Sequence, residues 1–188
     1  MGATGITGKL AVQIARHLGA GRIIVTGRNQ TMLEKLIEMG ADVAISLNQI
    51  DEMIRKAIEA EKTNHHIDIV IDYLWGKPAE LLLDILTGHD LHAEAQLTRY
   101  VQVGEMAGAT ISLAGATLRS SAIELSGQGG GSIPKNILQK IPTTILPEIF
   151  RLAAEGILTV DTMMVPLSEV EEVWQRKDLD GKRVVITL

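Results

Sequence analysis

Apolar residues recur along the chain in two alternating rhythms. Leu10, Ala11, Ile14, Ala15 and Leu18 fall on one helical stripe, with Gly19 as a stop. Ile23, Ile24 and Val25 form a short unbroken apolar run, which suits a strand covered on both faces. Met32, Leu33, Leu36 and Ile37 give the next stripe, closed by Gly40, and Val43–Ile45 the next strand. Ile50, Met53, Ile54, Ala57 and Ile58 form a third helical face. Ile67–Ile71 is the clearest strand, ended by Asp72. Ala79, Leu82, Leu83 and Leu86 give a fourth helix introduced by Pro78, and Tyr100, Val101 and Val103 a further strand ended by Gly104. Such alternation predicts an α/β fold: an open, doubly wound parallel sheet with helices on both faces.

After Gly104 the rhythm changes. Residues 105–117 are small and polar, Ile123–Leu125 suits a strand, and Gly-Gln-Gly-Gly-Gly-Ser at 127–132 reads as a flexible loop. A helical region is expected from Ile137 to Ala154, interrupted or kinked at Pro142 and Pro147. The tail predicts a strand over Leu158–Val165, a helix over Glu169–Gln175 and a last strand over Arg183–Leu188.

Composition narrows the chemistry. In 188 residues there is no cysteine, which removes disulfides, thiolate metal sites and cysteine nucleophiles. A formal charge of −5 argues against a general nucleic-acid or anionic-membrane binder. No apolar run approaches the roughly 20 residues of a membrane span. The first eight residues read as a turn rather than a leader, so a cytoplasmic location is expected. His89 and His92 have ligand-like spacing but fall in an expected surface loop, and three convergent ligands cannot be nominated, so no metal is expected. Glu169, Glu171 and Glu172 suit an exposed helix face.

The chain opens on Gly-Ala-Thr-Gly-Ile-Thr-Gly at 2–8, directly before the first helical stripe. Dinucleotide folds need such a turn: one glycine for the bend, one for close approach of the pyrophosphate, one for packing helix on strand. The helix N-terminus then offers free N–H groups and partial positive charge. An acid about 20 residues further on would hold the ribose hydroxyls of NAD. Here Gly27-Arg28-Asn29 follows the strand and carries no acid. Arg28 can pair with a 2′-phosphate, a charge-assisted contact worth about 1.5–3 kcal/mol, so NADP(H) is expected over NAD(H). In such folds the glycine loop follows a central strand, whereas Met1 stands directly before this one. The sheet is therefore expected to lack its first strand, as in a fragment or a chain that recruits a strand from elsewhere.

These stretches resemble the cofactor-binding half of medium-chain dehydrogenases/reductases, on the quinone oxidoreductase or zinc-independent alcohol dehydrogenase-like side. The matching pieces are residues 2–15, Gly27–Asn29, Gly40–Val43, Ile67–Gly76, Tyr100–Gly104 and the closing Asp-Gly-Lys-Arg-Val-Val at 180–185. The resemblance implies a cofactor domain over residues 1–156 and, over 157–188, a segment returning to a split catalytic domain. It places Gly2, Ala3, Thr4, Gly5, Ile6, Thr7 and Gly8 on the pyrophosphate and Arg28 with Asn29 on the adenosine phosphate. Tyr73 and Leu74 would border the ribose and nicotinamide side, Gly104 and Glu105 the nicotinamide end, and Ser126 and Gly127 would close that site. Trp75 suits either this border or packing under the next helix. The implied reaction is hydride transfer between NADPH and a carbonyl, quinone or activated alkene, with an unknown small-molecule substrate and no nominated general acid. A homodimer through the sheet edge is expected. A non-catalytic remnant or sheet-pairing interaction module is the alternative. Tyr73 and Lys77 also spell the Y-x-x-x-K of short-chain dehydrogenases, a minor alternative that Gly76 and Pro78 disfavour.

Overall fold

The computed structural model describes residues 1–87, 96–176, 179 and 181–188. His89 and His92 lie outside them. Helix α1 spans Ile6–His17, followed by β1 (Ile24–Gly27), α2 (Gln30–Glu38), β2 (Val43–Ser46), α3 (Asp51–Asn64), β3 (Ile69–Asp72) and α4 (Gly76–Leu86). Next come β4 (Thr98–Gln102), α5 (Gly115–Arg119), β5 (Ile123–Gly127), α6 (Lys135–Lys140) and α7 (Leu146–Ala154). The chain ends with β6 (Thr162–Pro166), α8 (Val170–Gln175) and β7 (Arg183–Thr187).

All strand pairs described are parallel: β1 with β2, β3 with β4 and β4 with β5, and separately β6 with β7. Parallel strands need crossovers, and α2 and α4 supply them. The alternation of side chains along a strand then divides the core in two. Val25 packs with Ala3, Val12, Leu33 and Leu36 beneath α1 and α2. Ile45, Val70 and Tyr100 pack with Ile54, Ile58, Leu82 and Leu83 beneath α3 and α4. Helices thus cover both faces, and the fold is an α/β, doubly wound Rossmann-type arrangement.

No ladder joins β1 to β3. Residues 1–3 lie between them instead. The Met1 nitrogen donates to the Ile71 carbonyl (2.6 Å), Met1 O accepts from Tyr73 N–H (3.2 Å), and Ala3 N–H donates to Thr26 O (2.9 Å). Residues 1–3 therefore tie two sheets together in the place where such folds have a central strand, the one expected to be lacking here.

Two local expectations are corrected. The stripe on α1 is out of phase: Leu18 is 78% exposed, and the buried positions are Gly8, Lys9, Val12 and Gln13. The reason is a polar seam. Lys9 Nζ donates to Asp161 Oδ2 (2.9 Å), Gln13 Nε2 donates to Thr159 O (3.1 Å), and Thr159 N–H donates to Gln13 Oε1 (2.8 Å). That seam also takes residues 158–161 out of the strand expected there. Within 105–117, α5 begins at Gly115. The helical region is interrupted as expected near Pro142, where α6 gives way to a wider turn over Ile141–Ile145 before α7 begins at Leu146. Residues 141–145 widen into one turn in which Leu146 N–H reaches back to Ile141 O, which accommodates two residues that have no N–H to donate.

Candidate functional site

The C-terminal ends of β1 and β3 meet the glycine loop. Gly2 has φ +72°, a bend that residues with a Cβ rarely adopt, and Leu74 packs over it closely enough that a Cβ would sit 2.8 Å from Leu74 Cδ2. Gly8 is buried, and a Cβ there would overlap the Ala3 backbone, so α1 packs directly on the extended segment. Gly5 faces open space, with nothing within 4 Å of where its Cβ would be. Gly5 caps α1 without a side-chain bond, and no acidic residue stands in the first turn. The N–H groups of Ile6, Thr7 and Gly8 have no partner among the described residues, since Lys9 N–H makes the first intrahelical bond, to Gly5 O. Bend, open approach and tight packing are distributed over the three glycines as a phosphate cradle requires.

Thr4 packs against Gly27 and brings the loop beside the end of β1. Arg28 is exposed there, and its guanidinium has no partner among the described residues; only its carbonyl is engaged, by Asn48 Nδ2 (2.7 Å). Asn29 is also a structural residue, because its Oδ1 accepts from Met32 N–H (3.0 Å) and caps α2. Its side-chain amide nitrogen has no partner among the described residues.

The other wall is built by two turns zipped together. Val103 N–H and Gly104 N–H both donate to Asp72 O, Met106 N–H donates to Tyr73 O (3.3 Å), and Ala107 N–H donates to Leu74 O (2.7 Å). Asp72 is fully buried, and its carboxylate accepts from Leu74 N–H (2.8 Å), Trp75 N–H (3.2 Å) and Tyr100 Oη (2.7 Å). Burial and the adjacent carboxylate push the Tyr100 hydroxyl well above the ordinary tyrosine range. Burial also raises Tyr73. Asp72 and Tyr100 were not among the sequence candidates; a charged residue closing an apolar strand was the available signal. Trp75 has φ +54°, a region that costs a residue with a Cβ about 1–3 kcal/mol. It lines a cavity of about 410 Å³ with Gln102, Glu105, Ala109, Leu125, Ser126 and Gly127. The sequence candidates Glu105, Ser126 and Gly127 thus share one cavity, while Tyr73, Leu74, Gly2 and Gly104 pack as its neighbours. Trp75 does both things expected of it, since its ring also stands edge-on to Tyr100, with centroids 6.4 Å apart.

Tyr73 and Lys77 are not a dyad on one helix. Tyr73 precedes α4, and Lys77 points to Glu80 at 3.7 Å.

A family model described as zinc-binding dehydrogenase matches residues 7–88. A probable NADPH-dependent quinone reductase of Emericella nidulans is 29% identical over 99% of this chain and 52% of its own length. The chain is thus similar to members of the medium-chain dehydrogenase/reductase superfamily over nearly its whole length. An acrylyl-CoA reductase of Ruegeria pomeroyi is 26% identical over 93% of the chain and 39% of its own length. The chain thus spans about half, or less, of the curated relatives it matches. The crystal structure of an alcohol dehydrogenase from Aeropyrum pernix superposes on 98% of the chain and 48% of its own, with a TM-score of 0.73 at 18% identity. That likeness carries the Rossmann-type fold alone. Among the described residues no group of three or more His, Asp or Glu side chains could hold a metal ion. None of the described helices is long and apolar enough to cross a membrane.

Proposed function

We propose that the chain is the NADP(H)-binding part of a medium-chain oxidoreductase that moves hydride between NADPH and a carbonyl, quinone or activated alkene. One observation carries the reading: the open face of Gly5 and the unpaired N–H groups of α1 stand between an unpartnered Arg28 and the Trp75–Glu105 cleft. A dinucleotide laid across that line meets a phosphate cradle in its middle. The adenosine phosphate end falls at Arg28 and Asn29, and the nicotinamide end at Gly104, Glu105, Ser126 and Gly127. When bound, the reduced dinucleotide supplies the hydride. The chain's own residues bind, orient and wall. Residues 157–188, with β6 and β7, act as the segment returning to the catalytic domain, which would hold the acceptor and the proton donor.

The relatives support the cofactor type, since one is named for NADPH dependence. Calorimetric titration of the chain with NADPH and NADH tests it. NADPH is expected to bind at least about tenfold tighter, and Arg28→Ala to lose about ten- to a hundredfold for NADPH while leaving NADH unchanged. Equal affinity for both nucleotides, or binding of neither, would sink the proposal.

A further inference from the structure

We infer that Asp161, in the C-terminal segment, is a positioning residue for the dinucleotide: through Lys9 it fixes the first turn of α1 and, with it, the phosphate cradle. This rests on the cofactor reading above and deepens it. The glycine loop has little of its own to set the direction of that turn, since Gly5 caps α1 with no side-chain bond. Lys9 is the residue whose N–H closes the turn, on Gly5 O (3.0 Å). Its ammonium is buried, and its acceptor among the described residues is Asp161 Oδ2 (2.9 Å), 152 positions away. The Asp161 carbonyl accepts Arg183 N–H (2.7 Å), which ties the aspartate to the start of β7. Gly181, at φ +70°, packs on the same place: a Cβ there would lie 3.3 Å from Thr4 O and 3.5 Å from Lys9 Nζ. The C-terminal segment thus touches the loop at Thr4 and the first turn at Lys9.

A buried ammonium is a poor route to stability, because an apolar side chain of similar volume fills the same space without desolvating a charge. What the pair adds is a fixed geometry. Hydrogen bonds weaken steeply as they leave the donor's axis, so the N–H groups of the first turn serve a pyrophosphate only when they are correctly aimed. Aiming them before the ligand arrives removes an ordering cost from binding. Gln13, one turn further along, clasps Thr159 by bonds of its own, so the segment keeps its seat when the Lys9 bond is removed. NADPH and NADH share the pyrophosphate. The effect of Asp161 is therefore common to both nucleotides, whereas that of Arg28 separates them.

Lys9→Met combined with Asp161→Ala removes the tie and leaves the net charge unchanged. By calorimetry this double variant is expected to bind NADPH and NADH each about tenfold more weakly than the parent, at an unchanged ratio. Its urea midpoint should stay near the parent's, since no ammonium is stranded. Affinity equal to the parent's overturns the inference, because the pair would then be structural only. A midpoint that falls along with the affinity also overturns it, marking a general loosening of α1. So does a loss confined to NADPH, which would place the effect at the adenosine phosphate. Should the double variant not fold, the parent decides. Coupling is reciprocal, so saturating NADPH should slow exchange of the Thr159 amide, which donates to Gln13 on α1, by about tenfold. Unchanged exchange there overturns the inference with cofactor binding intact. Failure of the parent to bind either nucleotide overturns the cofactor reading itself.

Discussion

A tryptophan at φ +54° inverts the usual ranking of small residues. Alanine normally outranks glycine, because glycine gives the unfolded chain more freedom to lose. At position 75 both substitutions remove the same ring and its edge contact with Tyr100. They differ in the backbone, where only glycine accepts a positive φ without strain. Trp75→Gly is therefore expected to be more stable than Trp75→Ala by about 1 kcal/mol, read as a higher urea midpoint at equal slope. The opposite order would mean that the turn relaxes to negative φ once the ring is gone. Nearby, Tyr100→Phe removes one of the three donors to the Asp72 carboxylate. The remaining two are the backbone N–H groups of Leu74 and Trp75. A loss of about 1–3 kcal/mol in urea unfolding is expected from a fully buried carboxylate short of one hydrogen bond.

Helix α1 does two things at the scale of an element. Its first turn is proposed to offer N–H groups to the cofactor, and its flank holds the 159–161 segment through Lys9 and Gln13. Lys9 is buried and Asp161 is largely exposed, so the pair is lopsided. Removing the aspartate strands an ammonium; Asp161→Ala is expected to cost about 1–3 kcal/mol, and Lys9→Met in the same chain to restore most of it. The hydrogen bond from Lys9 holds the Asp161 carboxyl below the usual carboxylate range. Its folded value is thus lower than its unfolded one. The contribution is complete above the unfolded value of about 3.9 and disappears as pH falls through the folded value. The thermal-midpoint gap between the parent and Asp161→Asn should therefore be constant from pH 7 to about 5 and close below about pH 3. A gap that persisted in acid would assign the effect to packing. This seam also shows where sequence reading reaches its limit. The period-3.6 pattern located α1 but chose the wrong stripe, because Lys9 and Gln13 are buried by partners 146 or more residues away and hydropathy alone puts both outside. The position of the glycine loop ahead of α1 and the ends of the strands were legible because they follow from local spacing. Asp72 and Tyr100 were not, since their bond joins neighbouring strands and depends on register: Asp72 pairs with Gln102, and Tyr100 with Val70.

Across the whole molecule, the two halves of the Rossmann sheet share no ladder and are joined through Met1–Ala3. A dinucleotide reaching from Arg28 to the Glu105 cleft would touch both halves, so binding should couple them. At a hundredfold excess over Kd, a ligand adds about 2.7 kcal/mol to any opening that destroys its site. That corresponds to about a hundredfold slower amide exchange. The slowing is expected in β1 and β3 alike, at Thr26 and Ile71, and at the Ala3 and Tyr73 amides that bridge them. The β6–β7 pair forms a separate sheet and should be little affected. Native-state hydrogen exchange with and without NADPH reads each strand separately. Slowing confined to β1 and β2 would mean that the chain grips the adenosine half alone, leaving the nicotinamide unplaced. Slowing in both halves would show one ligand supplying the cohesion that Met1–Ala3 begins.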